Sequence, residues 1–135
     1  MMPDVETGMI VGERGAAMAA LARKSCVPCK GGTPPLTDGE ITPLLAEVEG
    51  WEVVNGHHLR KTFRFTNFKA TLDFVNRVGA IAEQEGHHPD ICFGWGKATC
   101  EIWTHKIDGL TESDFILAAK IDEAVGGVSG YRAPA

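Results

Sequence analysis

The chain has 135 residues, of which 44% are hydrophobic and 23% are charged. A single domain of this length can bury most of its apolar surface, and no apolar run approaches the ~18 residues of a membrane-spanning helix. Thirteen basic and eighteen acidic side chains give a formal charge of -5, which argues against a basic surface for direct binding to nucleic acid. We therefore expect a soluble single-domain protein with neither a nucleic-acid nor a membrane partner.

The amino-terminal 35 residues are predicted to be a flexible leader. They include Asp4, Glu6 and Glu13 and lack the basic start and continuous apolar core of a secretory signal. The first 24 residues are interpreted as a disordered leader or an overlong start, and the expected compartment is the cytoplasm. The domain is placed at residues 36–125, with a flexible tail at residues 126–135.

Two of the four cysteines have the spacing of half a zinc ribbon. Cys26 and Cys29 enclose two residues, but Cys92 and Cys100 lie eight apart inside apparent strands and do not form a second knuckle. Free thiols are favoured over metal binding or redox switching.

A capping box begins the first predicted helix of the domain. Thr37 and Glu40 have the spacing in which each side chain binds the other residue's backbone amide. Pro43 must either kink this helix or mark a later start, and Gly50 is expected to end it. Two β-like runs, residues 51–54 and 59–65, then form a hairpin.

The turn of this hairpin is Asn55-Gly56, a residue pair that accepts positive φ at both positions. His57 and His58 follow it directly. They are interpreted as exposed histidines at the end of a strand rather than as a ligand pair.

A longer central helix is predicted after Asn67, which can cap it, and before Gly86, which can end it. Its apolar stripe is predicted at Phe68, Leu72, Val75, Val78 or Gly79, and Ala82.

Two further strands, residues 91–95 and 98–104, flank Gly96-Lys97, and a last helix begins at Thr111 and runs to about Ala124. The predicted order is α-β-β-α-β-β-α. This order is typical of an α+β fold in which a four-stranded antiparallel sheet has its helices packed on one face.

The register of the second hairpin brings two histidines together. A two-residue turn at Gly96-Lys97 pairs Trp95 with Ala98, and counting back from this pair places His88 opposite His105. Directly opposed residues have Cβ atoms roughly 4.5 to 5.5 Å apart. The register predicts one small site that holds both imidazoles.

Carboxylates are expected to orient these imidazoles. Glu83 lies one helical turn before His87, and Asp114 enters the same region from the first turn of the last helix. Histidine can give and take a proton near neutral pH, which is what general acid and base catalysis requires. Each carboxylate alone would favour a structural role, namely a capping acid or a solvated helix residue, but the three clustered histidines point to proton transfer.

The residues that form this pattern are Glu83, His87, His88, Pro89, Trp95, Thr104, His105, Gly109, Leu110 and Asp114. Together they resemble the signature of the pterin-4a-carbinolamine dehydratases, and the resemblance extends from about residue 36 to residue 124. Two positions depart from the family pattern, because Gly96 replaces a usual asparagine and Trp95 a common tyrosine.

The resemblance implies a hydro-lyase that converts 4a-hydroxytetrahydropterin to quinonoid dihydropterin in tetrahydrobiopterin recycling, with no metal and no cofactor. It implies acid-base roles for His87 and His105, while His88 binds and orients the pterin and also belongs to the catalytic set. Glu83 and Asp114 would set imidazole tautomers. The pocket walls would be Pro89, Thr104 and Lys106.

The resemblance also implies a homodimer or homotetramer and an aromatic amino-acid hydroxylase in the same pathway. Two alternatives remain: a non-enzymatic dimerisation or binding module for a transcription factor or a pterin pathway, and, ranked last, a metal-binding protein that uses Cys26, Cys29 and histidines. A binding module would not need His87, His88 and His105 together, so the intact set of histidines favours the enzyme.

Overall fold

A computed structural model describes residues 16–27 and 31–134. It confirms the predicted order and adds one helix before it. The helices are α1 (residues 16–22), α2 (Asp38–Leu45), α3 (Phe68–Glu85) and α4 (Glu112–Val125), and the strands are β1 (Glu52–Val54), β2 (His58–Arg64), β3 (Asp90–Phe93) and β4 (Lys97–Ile102).

The four strands form one antiparallel sheet in the order β1-β2-β4-β3. Alternate residues of β2 and β4, including Leu59, Phe63, Cys100 and Ile102, are buried on one face, and α3 and α4 pack against that face. The predicted α+β class with helices on one side of the sheet is therefore confirmed.

Aromatic rings fill the space between the sheet and α3. The ring centroid of Phe74 lies 4.7 Å from that of Phe63 and 5.1 Å from that of Phe65, and all three side chains are fully buried. Tilted ring contacts at these distances add to the free energy gained by removing the rings from water. Among the described residues, none of the helices has the length and apolar character needed to cross a bilayer.

The packed core extends beyond residues 36–125 in both directions. Leu21 and Ala22 of α1 are buried in it, and so is Val128 near the other end. The Lys120 ammonium donates to the Ala22 carbonyl at 2.6 Å, and the Arg132 amide donates to the Arg64 carbonyl at 2.8 Å. The described parts of the leader and the tail are thus held against the domain.

The predicted caps of α2 and α3 are confirmed. The Glu40 amide donates to the Thr37 hydroxyl oxygen at 3.3 Å, and the Ala70 amide donates to the Asn67 side-chain oxygen at 2.8 Å. Gly86 ends α3 with a φ of 64°. The expected end of α2 at Gly50 is wrong, because the helix stops at Leu45, two residues after its internal proline.

The predicted apolar stripe of α3 is partly wrong. Its buried residues are Ala70, Thr71, Phe74, Val78 and Ala82. Phe68 and Leu72 are instead 45% and 40% exposed. Two stripes compete on this helix, and the stripe that contains the large Phe74 ring faces the core.

The predicted register of the β3-β4 hairpin is wrong by two residues. Ala98 pairs with Phe93 and not with Trp95, because the two connecting residues are Trp95-Gly96 and not Gly96-Lys97: the Gly94 amide donates to the Lys97 carbonyl at 2.9 Å on either side of them. A shift of two residues keeps every side chain on its predicted face. It nevertheless removes the direct opposition of His88 and His105, because the last pair of the ladder is Asp90 with Glu101.

The described cysteines occupy different environments. Cys26 is half-buried and Cys100 fully buried, and burial raises the pKa of each thiol to about 12. Cys92 is exposed on β3. Cys29 lies outside the described residues, so the predicted pairing of Cys26 with Cys29 as half of a zinc ribbon stays a sequence-based alternative.

Candidate active site

His87 lies where the chain leaves α3 and leads into β3. The left-handed conformation of Gly86 stops the helix, and the His87 amide still donates to the Ala82 carbonyl at 3.2 Å. His87 Nε2 is 2.6 Å from Asp114 Oδ1. The His87 side chain is 14% exposed and the Asp114 side chain is 0% exposed, so the contact is shielded from bulk water.

The Asp114 carboxylate is held by three hydrogen-bonding groups at once. Its Oδ2 accepts from the Thr104 hydroxyl at 2.9 Å and from the Thr111 backbone amide at 2.8 Å, while its Oδ1 faces His87. The Thr104 and Thr111 hydroxyls also lie 2.9 Å apart. Because an ionised carboxylate only accepts hydrogen bonds, His87 Nε2 is inferred to carry hydrogen, which leaves Nδ1 as the nitrogen available to a substrate when the ring is neutral.

His88 faces a different carboxylate. Its Nε2 lies 2.6 Å from Glu83 Oε2 across the end of α3, and the side chains are 56% and 79% exposed. An exposed ion pair of this kind contributes little to stability. The pair instead orients the His88 ring, because the contact with Glu83 fixes which ring nitrogen of His88 carries hydrogen.

His105 begins an exposed turn directly after Thr104. Its ring meets the Trp103 ring edge to face, with centroids 4.5 Å apart. Lys106 is exposed in the same turn, and Pro89 is half-buried between His88 and β3. The three residues expected to line the pocket therefore differ in exposure and in hydrogen bonding. Lys106 is exposed and Pro89 is half-buried, while the Thr104 hydroxyl already donates to Asp114.

The expectation that His57 and His58 are simple exposed strand-end residues is wrong. Their side chains are 32% and 17% exposed, and both rings pack against Trp103 with centroid distances of 5.3 and 5.7 Å. The reason is the pairing of β2 with β4, in which Leu59 opposes Ile102. Continuing this register by one residue places His58 opposite Trp103.

The sequence did not indicate Trp103 as a site residue and indicated Thr111 only as a helix cap. A signal for Thr111 was present, because a capping threonine lies three residues before Asp114 and is in reach of its carboxylate. Trp103 has no comparable local signal, because its contacts depend on which strand lies beside β4.

The arrangement can move protons. It offers a shielded imidazole-carboxylate pair at His87, a second pair at His88, and the imidazole of His105. Across the described parts of the chain, no three His, Cys, Asp or Glu side chains converge with a geometry that could hold a metal ion.

Comparison with known proteins places this chain in a family. Residues 34–124 match the family model described as pterin 4 alpha carbinolamine dehydratase. A protein of Rubrobacter xylanophilus, provisionally named a pterin-4-alpha-carbinolamine dehydratase, is 64% identical over 105 residues, which cover 78% of this chain and 98% of that protein. A Rickettsia canadensis protein with the same provisional name is 54% identical over 109 residues, covering 80% of this chain and 100% of the relative.

Two solved structures share the fold. A transcriptional coactivator/pterin dehydratase from Brucella melitensis superposes with a TM-score of 0.65 at 28% identity, over 68% of this chain and 99% of that chain. A pterin dehydratase-like protein identified as a RuBisCO assembly factor in the alpha-carboxysome superposes with a TM-score of 0.52 at 26% identity, over 60% of this chain and 94% of that one. The family model and the relatives together show that this chain belongs to the pterin 4 alpha carbinolamine dehydratase family.

Proposed function

We propose that the protein is a hydro-lyase that dehydrates 4a-hydroxytetrahydropterin to quinonoid dihydropterin. The observation that carries the proposal is the shielded contact between His87 Nε2 and Asp114 Oδ1 at 2.6 Å. The exposed His105 directly follows Thr104, whose hydroxyl donates to the same carboxylate. Family membership supports the reaction class, and the imidazoles provide groups that transfer protons near neutral pH.

The reaction needs two proton transfers and no external reductant. A general acid protonates the hydroxyl on the 4a carbon, the carbon-oxygen bond breaks, and water leaves. A base removes the proton from the adjacent ring nitrogen, whose electron pair forms the new carbon-nitrogen double bond. His87 and His105 are the proposed acid and base, in an order that we leave open, and each positioned group contributes ~10²- to 10⁴-fold.

The other residues of the proposed site bind or position. His88, oriented by Glu83, contacts the pterin together with Pro89 and Lys106. Thr104 acts through Asp114, because its hydroxyl donates to that carboxylate. Asp114 accepts from His87 Nε2 and so fixes the orientation of the imidazole that transfers the proton.

The experiment follows the absorbance decay of freshly generated 4a-hydroxytetrahydropterin in the presence of the parent protein and of the His87→Ala and His105→Ala variants. We expect acceleration by the parent and a fall of ~10²-fold or more in each variant. Circular dichroism and thermal unfolding would verify that each variant is folded. A parent protein that leaves the spontaneous rate unchanged would refute the enzymatic assignment.

A second candidate function is non-enzymatic binding of a protein. Exposed aromatic rings favour it, since Phe93 and Trp95 are 41% and 67% exposed and Phe68 stacks on Phe93 with centroids 6.1 Å apart. Large exposed apolar side chains in one area mark interaction surfaces. The structural neighbours described as a coactivator and as an assembly factor are consistent with such a role.

A second copy of this chain is the simplest occupant of that surface, which would make the protein a homodimer or homotetramer. The cytoplasm is its expected compartment. Light scattering would give the molar mass of the parent and of a Trp95→Ser variant. We expect an oligomer that the substitution weakens, and a monomeric parent would contradict self-association. Retained pterin turnover in a weakened oligomer would separate the two roles.

A further inference from the structure

A part of the leader crosses the two helix ends beside the proposed acid-base pair. We call residues 22–27 the leader strap. The Cys26 backbone amide donates to Glu85 Oε1 at 2.8 Å, and the Val27 backbone amide donates to the Ser113 hydroxyl oxygen at 3.0 Å. Glu85 is the last residue of α3, and Ser113 lies in the first turn of α4. Two consecutive residues of the strap therefore bind one helix each.

The contact of the strap with Ser113 runs in both directions. The Ser113 hydroxyl also donates to the Val27 carbonyl at 3.3 Å, and the Cys26 thiol donates to the Ser113 carbonyl at 3.5 Å. Burial raises the pKa of this thiol to about 12, so it keeps its hydrogen near neutral pH. Ser113 is buried, and a buried hydroxyl that loses its partners is costly to the fold.

A lysine of α4 joins the strap to both helices. Lys120 Nζ donates to the Ala22 carbonyl at 2.6 Å and lies 3.6 Å from Glu85 Oε2. One carboxylate oxygen of Glu85 thus faces the strap and the other faces α4. Lys24 adds an ion pair with Glu112 at 2.8 Å, but both side chains are exposed and a pair of this kind contributes little.

These contacts set the distance between the two helix ends. Consecutive Cα atoms are about 3.8 Å apart, so two adjacent strap residues can reach both helices only while the end of α3 and the start of α4 stay close. His87 is two residues beyond Glu85, and Asp114 directly follows Ser113. The 2.6 Å contact of His87 Nε2 with Asp114 Oδ1 depends on the same spacing.

At its two amide contacts, the strap is held by hydrogen bonds more than by apolar burial. The Val27 side chain is exposed, whereas the buried apolar contacts of this segment come from Leu21 and Ala22. Hydrogen bonds depend on direction as well as on distance. The amides of Cys26 and Val27 therefore constrain how the helix ends are oriented, which burial alone would not do.

We propose that the leader strap positions the acid-base pair: by binding Glu85 and Ser113 through adjacent backbone amides, it holds His87 against Asp114. The inference rests on the proposed function, because it gives this contact a place in proton transfer. Glu85 and Ser113 are positioning residues, which act through His87 and Asp114.

One pair of variants tests the strap without altering the site. Val27→Pro removes a backbone amide hydrogen, whereas Val27→Ala retains it and shortens a side chain that is already exposed. We expect Val27→Pro to lower kcat about 10-fold with KM changed by less than about 2-fold, and Val27→Ala to match the parent. Equal kcat in Val27→Pro and Val27→Ala would overturn the catalytic part of the inference.

Proton-nitrogen NMR of the imidazole rings follows the same contact without any activity measurement. The hydrogen on His87 Nε2 is shielded by Asp114, so its exchange with water reports how often the contact opens. We expect exchange about 10-fold faster or more in Val27→Pro and a parental rate in Val27→Ala. An unchanged exchange rate in Val27→Pro would overturn the positioning role.

A substitution on α4 shows whether the effect runs through the Val27-Ser113 contact. Ser113→Ala removes the hydroxyl that binds the strap. Because both single variants break one contact, we expect the double variant with Val27→Pro to lose little more kcat than either alone. Losses that multiply in full would show that the two residues act separately and would contradict the strap.

The α3 end has its own pair of variants, which also decides the question if Val27→Pro fails to fold by thermal unfolding. Glu85→Ala removes the acceptor of the Cys26 amide, whereas Glu85→Gln retains an oxygen that can accept. We expect faster exchange of the His87 hydrogen in Glu85→Ala and recovery of most of the parental rate in Glu85→Gln. Parental exchange in both would overturn the inference.

These outcomes separate the strap from the proposed function. An inactive parent protein would defeat the proposed function, while the exchange of the His87 hydrogen would still decide whether the strap holds His87 against Asp114. An active parent whose kcat and His87 exchange are unchanged in Val27→Pro would defeat the strap alone.

Discussion

Asp114 combines two roles in one carboxylate. It accepts from the Thr111 amide at the start of α4, as a capping residue does, and its other oxygen faces His87. A helix cap contributes about 1 kcal/mol to stability. The hydrogen bond that caps α4 therefore also holds the Asp114 carboxylate in the orientation in which its other oxygen faces His87. The site and the helix end are thus stabilised by the same hydrogen bonds.

Thr104→Val tests this network at one atom. The substitution preserves the shape of a buried side chain and removes the hydroxyl that donates to Asp114 Oδ2 at 2.9 Å. We expect a loss of about 1 kcal/mol in the free energy of unfolding and a several-fold fall in kcat. Urea denaturation and the pterin decay assay measure the two effects.

Thr62→Val is the matched control, because the Thr62 hydroxyl contacts Thr99 on the exposed face of the sheet. It should change neither quantity by a comparable amount. Equal losses in the two variants would show that the hydroxyl of Thr104 has no particular connection to the site.

At the residue scale, the sequence predicted that Glu83 and Asp114 lie near the clustered histidines, but only part of the pairing. Local spacing placed Glu83 one helical turn before His87, whereas its carboxylate contacts His88, five residues along the chain. The contact of His87 with Asp114 spans 27 residues. It depends on how α3 and α4 pack, which spacing alone does not specify.

The β3-β4 hairpin decides where the residues after β4 lie. Its turn has little room at Gly96, where an added Cβ would lie 2.8 Å from the Phe65 carbonyl oxygen. The Phe65 amide also donates to the Gly96 carbonyl at 2.8 Å. The two backbones are held too close together for a side chain.

Gly96→Ala should therefore lower the free energy of unfolding by roughly 1–3 kcal/mol, because the clash is with backbone and not with a flexible side chain. Thermal unfolding measures the change. Gly94→Ala is the control in the same turn, since nothing lies within 4 Å of its added Cβ. If both variants unfold at the parent's temperature, the close approach of the turn to Phe65 is not real.

At the element scale, caps and strand faces were predictable, whereas the position of the turn and the neighbouring strands were not. A capping residue acts within four positions, so Thr37 and Asn67 identify their helices from sequence. The dipeptide Gly96-Lys97 suggested a turn at those residues, but the hydrogen bond from the Gly94 amide to the Lys97 carbonyl places the turn at Trp95-Gly96. The position of β4 beside β2 requires contacts between distant segments.

The whole molecule includes a buried ion pair remote from the proposed site. Lys61 Nζ lies 2.9 Å from Asp122 Oδ1, the side chains are 14% and 7% exposed, and Trp51 Nε1 also donates to the carboxylate. Burial raises the pKa of Asp122, and the nearby ammonium of Lys61 opposes that rise. The pair connects β2 to α4 across the core.

Lys61→Met should destabilise the protein by ~3–5 kcal/mol where Asp122 is charged, because it leaves a buried carboxylate without its cation. A raised folded-state pKa means that the carboxyl's contribution to stability is complete below its ordinary value of about 3.9 and is lost as pH rises through the folded pKa. Without Lys61 that pKa rises further. The deficit should therefore be smaller at about pH 5 than at about pH 8.

Urea denaturation of the parent and of Lys61→Met at both pH values measures this difference, with Lys69→Met as a control on an exposed lysine of α3. A deficit that does not change with pH would contradict the titration of Asp122 as its cause.

At the scale of the molecule, hydrophobic periodicity and turn residues were sufficient for the fold class, because they specify the order of helices and strands. The flanking segments were not predictable in the same way. Leu21 and Ala22 end an alanine-rich run and Val128 stands between Gly127 and Ser129, and only the assembled domain offers the surface on which they are buried.

The most direct measurement is the rate at which freshly generated 4a-hydroxytetrahydropterin disappears with the parent protein, with Asp114→Asn and with Glu112→Gln. Glu112 is the matched control, an exposed acid in the same first turn of α4. We expect acceleration by the parent, a fall of roughly 10- to 100-fold in Asp114→Asn, and no loss in Glu112→Gln. A parent protein that does not exceed the spontaneous rate would contradict the proposed dehydratase activity.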